Sequence, residues 1–257
     1  SVHDFGWLEK MRREHSFDGV EITNITKDLA CFGIMGPKSR AILQSLTSAD
    51  LSHTAFPFMS SQEITVGDIK VRATRLTYVG ELGWELYVPV ENGLELWEKI
   101  MAAGKSQGIK ACGYRAIESL RLEKGYRAWA GEINTETNPY EAGLGFAVSL
   151  KKDNFHGKAA AVAAQANLTR KLVAITFDDI TCVPFGSEPI RIGEKIVGRI
   201  KSGGQGYTIK KAIAYAYLPI AQTEVGTKVD VEFFGTWRSG VICAEPLFDP
   251  SNERIRL

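Results

Sequence analysis

The sequence lacks the residue patterns that indicate a metal site, a disulfide framework or a strongly charged binding partner. Its four cysteines are scattered and form no CxxC pair, which argues against a disulfide framework or a cysteine zinc site. The four histidines have no partner at helical i,i+4 spacing, so no metal site is predicted. Thirty-one Lys and Arg residues balance thirty Asp and Glu residues, which leaves no field that would predict binding to nucleic acid.

Other absences narrow the function classes further. No apolar run reaches the length of a membrane helix, and the N-terminus has no signal-peptide pattern. The phosphate-binding loops GxGxxG and GxxxxGK[ST] are missing, and SGGQGYT does not match the dinucleotide spacing. We therefore expect a protein that acts on small molecules, without membrane contact, in the cytoplasm or, in a eukaryote, in the mitochondrial matrix.

The residues that are present predict an α+β chain of more than one domain. Hydrophobic residues make up 44% of the 257, enough for a substantial core. Apolar periodicity predicts a series of helices, which are DFGWLEKMRREH, GPKSRAILQSL, ENGLELWEKIMAAGKSQG, GYRAIESLRLEKGY and NFHGKAAAVAAQA. In the third of these, Leu94, Trp97 and Met101 are expected on one side. Strands are predicted at VEITNIT, LACFGIMG and FAVSLKK, and as a hairpin in EITVGDIKVRATRLTY around Gly67-Asp68.

The composition changes after about Asn167. From Lys171 onward, short β-runs are separated by glycines, as in LVAITF, PIRIGEKIVGRI, YTIKKAIAYAYLP, KVDVEFF and SGVICAEPLF. This pattern predicts a C-terminal all-β domain of barrel or sandwich type. We place the domains at 1–167 and 168–257.

The stretch LTYVGELGWELYVP carries the strongest chemical pattern. Period-two alternation in WELYVP sends Glu85 and Tyr87 to one face of a strand and the apolar residues to the other. A carboxylate held in this way can accept two parallel hydrogen bonds from an amidine-like edge, such as the N3–H and 2-amino group of a pterin. From the residues alone, Glu85 is either such a ligand or part of the solvated face of an antiparallel strand.

Four motifs in order resemble one family over nearly the whole chain. They are YxGExGxE, GYRAIESLRLEKGYRAWAGEI, NPYEAGLGFAVSLKKDNFHGKAA and KSGGQGYTIKKAIAYAYLP. Together they resemble the folate-binding aminomethyltransferases of the glycine cleavage T-protein type, and within them the C-terminal folate region of dimethylglycine and sarcosine dehydrogenases. The resemblance implies a multi-domain aminomethyltransferase-like folate-binding fold that ends in an all-β barrel-like domain.

The resemblance also implies a function. It predicts transfer of an aminomethyl or methylene one-carbon unit from an amine-derived donor to tetrahydrofolate, giving 5,10-methylenetetrahydrofolate. FAD is implied only if an oxidoreductase domain lies upstream or on a partner. Two alternatives stay open: a non-catalytic folate-binding module, and a folate-dependent demethylase of a sulfonium or related methyl donor. The non-catalytic branch resembles a KGCxxGQE string, where this chain has KKDNFHGK with Asn154 in place of the cysteine.

By the same resemblance, Tyr78 and Glu85 match the residues that hold the pterin, and Glu81 is a turn residue. Trp129 matches an aromatic beside the folate, with a core tryptophan as its alternative. The arginine for the folate tail is replaced by Ile117, and the nearest arginine, Arg115, is either a substitute or an ordinary surface residue.

The sequence assigns no catalytic residue. The family's WG pair is Trp129-Ala130 here, which predicts a differently bent loop. The family's catalytic aspartate belongs to a segment upstream of the helix that opens this chain. We therefore expect an N-terminally truncated fragment that binds folate weakly and has no measurable turnover. Glu141, in a matching loop, is expected to cap backbone rather than to replace the aspartate.

Overall fold

The computed structural model describes residues 2–257, which divide by their internal contacts into two compact units. The first unit contains residues 2–77, Leu82–Lys110 and Leu257, and the second contains Tyr78–Glu81 and Ala111–Arg256. The predicted boundary near Asn167 follows the end of a helix and precedes the first strand of the C-terminal region. As a division into domains it stays a prediction.

The first unit is a four-stranded antiparallel sheet with helices. The helices are α1 (Val2–Glu14), α2 (Ser39–Gln44) and α3 (Gly93–Gly104), and the strands are β1 (Leu29–Met35), β2 (Ser61–Val66), β3 (Ile69–Thr74) and β4 (Gly83–Pro89). The strands lie in the order β1-β4-β3-β2. β2 and β3 form the predicted hairpin, in which Gly67 has a φ of +65°, a conformation that glycine adopts without strain.

One face of this sheet is apolar and packs into a core. Alternate residues of β4, such as Trp84 and Leu86, are fully buried there with Leu43 of α2 and Leu96 of α3. Because side chains alternate along a strand, the intervening residues lie on the opposite face, which is polar and largely open. That open face carries Glu85.

The second unit contains a closed six-stranded antiparallel barrel. Its strands are β5 (Arg170–Phe177), β6 (Pro189–Ile192), β7 (Lys195–Gly206), β8 (Lys211–Pro219), β9 (Lys228–Phe233) and β10 (Thr236–Cys243), and its helices are α4 (Tyr114–Lys124), α5 (Lys158–Ala166) and α6 (Glu253–Arg256). The barrel order is β10-β5-β8-β7-β6-β9, so no strand is left as an edge. The predicted C-terminal all-β region is thereby confirmed as a barrel.

Two predicted strands are wrong. VEITNIT forms no strand, because Val20 and Ile25 are exposed and the Asn24 side chain accepts the Thr26 N–H at 3.0 Å, closing a local turn. FAVSLKK is also not a strand: a short 3₁₀ turn covers Gly145–Ala147, and no ladder follows it.

In α3, the side that carries Leu94, Trp97 and Met101 is not the buried one. Leu94 is 70% exposed and Trp97 38% exposed, whereas Leu96 and Ile100 are buried against the sheet. The buried stripe is completed by glycines at the two ends of the helix, which the hydrophobic pattern does not count. None of the helices in the described part of the chain combines the length and apolar character needed to cross a bilayer.

Candidate functional site

The open face of the first sheet arranges its side chains in rows across the strands. Glu85 on β4 lies between Gly33 on β1 and Thr74 on β3. Tyr87 occupies the next row, between Cys31 and Arg72. The predicted alternation that places Glu85 and Tyr87 on one face is confirmed.

Glu85 and Tyr87 interact directly. The Tyr87 hydroxyl donates a hydrogen bond of 2.5 Å to Oε2 of Glu85, and both side chains are half-buried. The pKa of the Tyr87 phenol is raised well above its usual range, first by this hydrogen bond and then by burial and the Glu85 charge. Tyr87 is therefore a neutral donor over the physiological pH range.

The surroundings of this pair are polar but not strongly charged. Arg72 on β3 donates a hydrogen bond of 2.8 Å to Oε1 of Glu63 on β2, the strand beyond β3 from the pair. The exposed thiol of Cys31 has its pKa raised, mainly by desolvation and then by Glu85. A cavity of about 1060 Å³ is lined by Tyr87 and Arg72 among others, but Glu85 is not among the residues that line it.

The loop between β3 and β4 places Tyr78 in the second unit. The Tyr78 ring stacks on Tyr126 with centroids 6.0 Å apart, and its hydroxyl donates to the Arg127 carbonyl at 2.8 Å. Its pKa is raised, chiefly by burial. The hydroxyl of Tyr78 is thus engaged with the backbone of the YRAW segment, while part of the ring remains exposed.

Two glycines shape this loop. Gly80 has a φ of +71°, and a Cβ there would lie 2.8 Å from the Lys124 side chain. A Cβ at Gly83 would lie 2.6 Å from the Ile34 carbonyl oxygen. Glu81 is a turn residue as expected, and it pairs with Arg254 at 3.3 Å.

Trp129 and Arg115 both lie in the second unit with exposed side chains. Trp129 is 67% exposed, which is incompatible with the alternative that it is a core tryptophan. Ala130, which follows it, has a φ of +69°, a conformation rare for alanine, so the departure from the WG pair coincides with backbone strain. Arg115 lies in the first turn of α4 and is exposed.

The string SLRLEKG, which contributes to the resemblance, is largely structural. Arg121 of α4 is buried and donates to Oε1 of Glu132 at 2.6 Å, and it also pairs with Glu118. Glu132 is fully buried and accepts further hydrogen bonds from Ser202 of β7 and from the Ala128 N–H. This network ties α4 to the following loop and to the barrel.

The neighbouring residues of α4 have similar roles. Glu123 accepts the backbone N–H groups of Thr208 and Ile209 in the β7–β8 turn. Lys124 donates to Oδ2 of Asp249 at 2.9 Å, and both side chains are nearly inaccessible. Burial raises the pKa of Asp249, but the Lys124 hydrogen bond and charge, together with backbone donors, lower it more, so the pKa of Asp249 lies below its usual value.

Glu141 is also held by structural contacts. It pairs with Arg170 at 3.1 Å and accepts the Asn138 N–H at 3.4 Å. These contacts are those of a residue that closes a loop, in line with the expected capping role.

The sequence pattern places Tyr87 on the same strand face as Glu85 but does not identify it as a site residue. Its alternation with Glu85 was visible, whereas the hydrogen bond between them depends on side-chain rotamers. Gly33 was missed as well. It leaves one flank of Glu85 without a side chain, and only strand register reveals this.

The fold itself is a mixed α+β arrangement in which an open antiparallel sheet precedes a closed six-stranded barrel. A family model described as the GCVT N-terminal domain matches residues 1–152, and one described as the glycine cleavage T-protein C-terminal barrel domain matches residues 170–249. The chain belongs to the glycine cleavage T-protein family of aminomethyltransferases.

Individual relatives agree with this assignment. The chain is 42% identical over 258 residues to the mitochondrial dimethylglycine dehydrogenase of Rattus norvegicus, covering 100% of this chain and 30% of the relative. It is 34% identical to an aminomethyltransferase of Symbiobacterium thermophilum, covering 98% of this chain and 68% of the relative. Among solved structures, the glycine cleavage system aminomethyltransferase T of Bartonella henselae matches with a TM-score of 0.83 and 27% identity, over 97% of this chain and 66% of that one.

The share of each relative that is matched differs between the two groups. The chain spans about 30% of the length of the dimethylglycine dehydrogenases and about two thirds of the aminomethyltransferase. The predicted resemblance to both groups is confirmed.

Proposed function

We propose that this chain is a tetrahydrofolate-dependent one-carbon transfer region of a dimethylglycine or sarcosine dehydrogenase-like enzyme, forming 5,10-methylenetetrahydrofolate. The observation that carries the proposal is the Glu85 carboxylate, which is half-buried on an open polar sheet face in a chain of the T-protein family. The similarity to proteins named as dimethylglycine and sarcosine dehydrogenases supports the choice of branch.

Glu85 has the chemistry that a pterin head requires. A carboxylate has about four lone-pair positions, and the Tyr87 hydroxyl occupies one of them. The remaining positions suit two parallel donors, such as the N3–H and 2-amino group of a pterin. Gly33 is the cross-strand neighbour of Glu85 on β1 and has no side chain of its own, and the Met35 side chain lies 3.5 Å from the position that a Cβ would take there. When bound, tetrahydrofolate would supply the nitrogen nucleophiles that accept the one-carbon unit.

The resemblance also supports roles for three residues of the second unit. The exposed ring of Trp129 offers a flat apolar surface to an aromatic ligand, and the exposed Arg115 offers a cation for a carboxylate tail. Tyr78 has its hydroxyl engaged, so we propose that it contributes its ring rather than a hydrogen bond.

The donor and its source belong to the same proposal. The similar dehydrogenases are longer than this chain, and we propose that an oxidising flavin domain produces the amine-derived one-carbon donor. In that arrangement, FAD belongs to the dehydrogenase region and not to the residues described above.

The test is calorimetric titration of the 257-residue chain with tetrahydrofolate. Glu85→Gln keeps the shape but removes the charge, and we expect it to weaken binding about tenfold to a hundredfold, corresponding to about 1.5–3 kcal/mol for hydrogen bonds to a charged group. Glu95→Gln is the matched control, because Glu95 is exposed on α3, which packs on the apolar face of the sheet, and is paired with Lys99. It should leave the affinity within about twofold.

Two results would contradict the proposal. Unchanged affinity in Glu85→Gln would mean that this carboxylate does not recognise the pterin. Equal losses in Glu85→Gln and Glu95→Gln would indicate a general charge effect rather than a specific contact.

A further inference from the structure

The hydroxyl of Tyr87 has a defined partner on the open sheet face. It lies two residues after Glu85 on β4, so both side chains project from the same side of the strand. The 2.5 Å distance from this hydroxyl to Oε2 of Glu85 is that of a short O–H···O⁻ hydrogen bond to an ionised acceptor. A carboxylate at the end of a flexible side chain is thereby held in one orientation.

The charge of Glu85 is preserved by this arrangement. The nearest cross-strand cation in the Tyr87 row, Arg72, is directed to Glu63 with a distance of 2.8 Å. Within residues 2–257, no Lys, Arg or His pairs with Glu85. A phenol orients a carboxylate without neutralising it, whereas an ion pair would compete with an incoming donor edge.

We propose that Tyr87 is a positioning residue, which fixes the Glu85 carboxylate so that its free lone pairs face the donor edge of the pterin. This inference rests on the proposed function and adds a residue to it. Tyr87 need not contact the pterin, because its effect passes through Glu85. Any strand with Glu at one position and Tyr two residues later can form the same orienting hydrogen bond.

The protonation state of Tyr87 supports this role. Its raised pKa keeps the phenol protonated, so the proton remains on the tyrosine oxygen and the carboxylate stays the acceptor. Cys31 on β1 is the cross-strand neighbour of Tyr87. Burial and the Glu85 charge raise the pKa of the Cys31 thiol. The Cys31 thiol therefore adds no anion beside the pair at neutral pH, and the cation of the row, Arg72, is paired with Glu63.

The experiment compares tetrahydrofolate affinity in the chain and in three variants: Tyr87→Phe, Glu85→Gln and the double variant. Tyr87→Phe removes only the hydroxyl, and we expect a loss of about three- to tenfold, because one charge-assisted hydrogen bond orients the acceptor. In the Glu85→Gln background the same change should cost less than twofold.

Tyr207→Phe is the matched control. Its hydroxyl donates to Oε1 of Gln205 at 2.5 Å, also two residues away, but in the barrel. It should leave the affinity unchanged. A second readout is the coupling between the two positions: a merely structural role of Tyr87 would lower the affinity equally with and without the Glu85 carboxylate.

The outcomes separate the two proposals. If Glu85→Gln weakens binding but Tyr87→Phe does not, the positioning role is wrong and the folate function stands. If Tyr87→Phe weakens binding equally in both backgrounds, Tyr87 acts by another route and the inference is overturned. If Glu85→Gln has no effect, both proposals fail. Melting temperatures of all variants, measured in parallel, show whether any loss reflects unfolding.

Discussion

Replacing Arg121 by methionine should destabilise the second unit strongly. Arg121 and Glu132 have side chains that are 1% and 0% exposed, joined at 2.6 Å. Methionine has a similar length and no charge, so it fills much of the space but leaves the Glu132 carboxylate without its cation.

The magnitude follows from what Glu132 retains. Breaking a buried ion pair on one side costs about 3–5 kcal/mol, because an uncompensated charge stays in a low-dielectric environment. Glu132 still accepts hydrogen bonds from Ser202 and the Ala128 N–H, which moderates the penalty. We therefore expect a loss of about 3 kcal/mol in Arg121→Met. Neutralising the carboxylate as well, in Arg121→Met with Glu132→Gln, should recover a substantial part of it.

The assay is denaturant unfolding followed by circular dichroism, with the free energy of unfolding extrapolated to water. Arg115→Met is the matched control, since Arg115 lies on the same helix but is exposed, and it should change stability by less than about 0.5 kcal/mol. A loss below about 1 kcal/mol in Arg121→Met would refute the reasoning. So would a double variant no more stable than Arg121→Met alone.

Two further perturbations test other parts of the chain. Asp249→Asn should reduce the free energy of unfolding at neutral pH, and the difference from wild type should begin to shrink below about pH 4 and vanish only below the folded-state pKa of Asp249. The sign follows from the lowered pKa of Asp249, whose stabilisation is complete above the unfolded-state pKa and is lost as pH falls through the folded-state pKa; a constant difference from pH 7 to pH 2 would contradict this. Gly83→Ala should cost about 1–3 kcal/mol in thermal or chemical unfolding, because the added Cβ would lie 2.6 Å from a backbone carbonyl oxygen. Gly113→Ala, where a Cβ would meet nothing within 4 Å, is the control, and equal effects of the two substitutions would argue against the steric explanation.

Local patterns predicted much of the fold where periodicity and burial agree. The β2–β3 hairpin followed from alternation on both sides of Gly67-Asp68, and β4 followed from WELYVP. The barrel followed from repeated short β-runs after Asn167. In the hairpin and in β4, every second residue faces the core, so the sequence pattern reflects the burial directly.

Local sequence patterns do not predict the structure where contacts with distant residues determine it. VEITNIT has the composition of a strand, yet no neighbouring strand pairs with it, and an Asn24 side-chain turn forms instead. In α3, small residues complete the buried stripe, so the large apolar side chains alone do not identify the buried side of the helix. Composition does not specify strand partners or close backbone approach.

The candidate site shows the same limit at the level of individual carboxylates. Five glutamates of the motifs that carry the resemblance have structural partners, as follows: Glu81 with Arg254, Glu118 and Glu132 with Arg121, Glu123 with backbone N–H groups, and Glu141 with Arg170. Because these carboxylates are already occupied by ion pairs or hydrogen bonds, they are not available to a ligand. Glu85 differs, because its partner is a neutral phenol that orients the carboxylate and leaves its charge available. The type of partner, rather than the presence of a carboxylate in a motif, therefore separates a residue that can recognise a donor edge from those that hold the fold together.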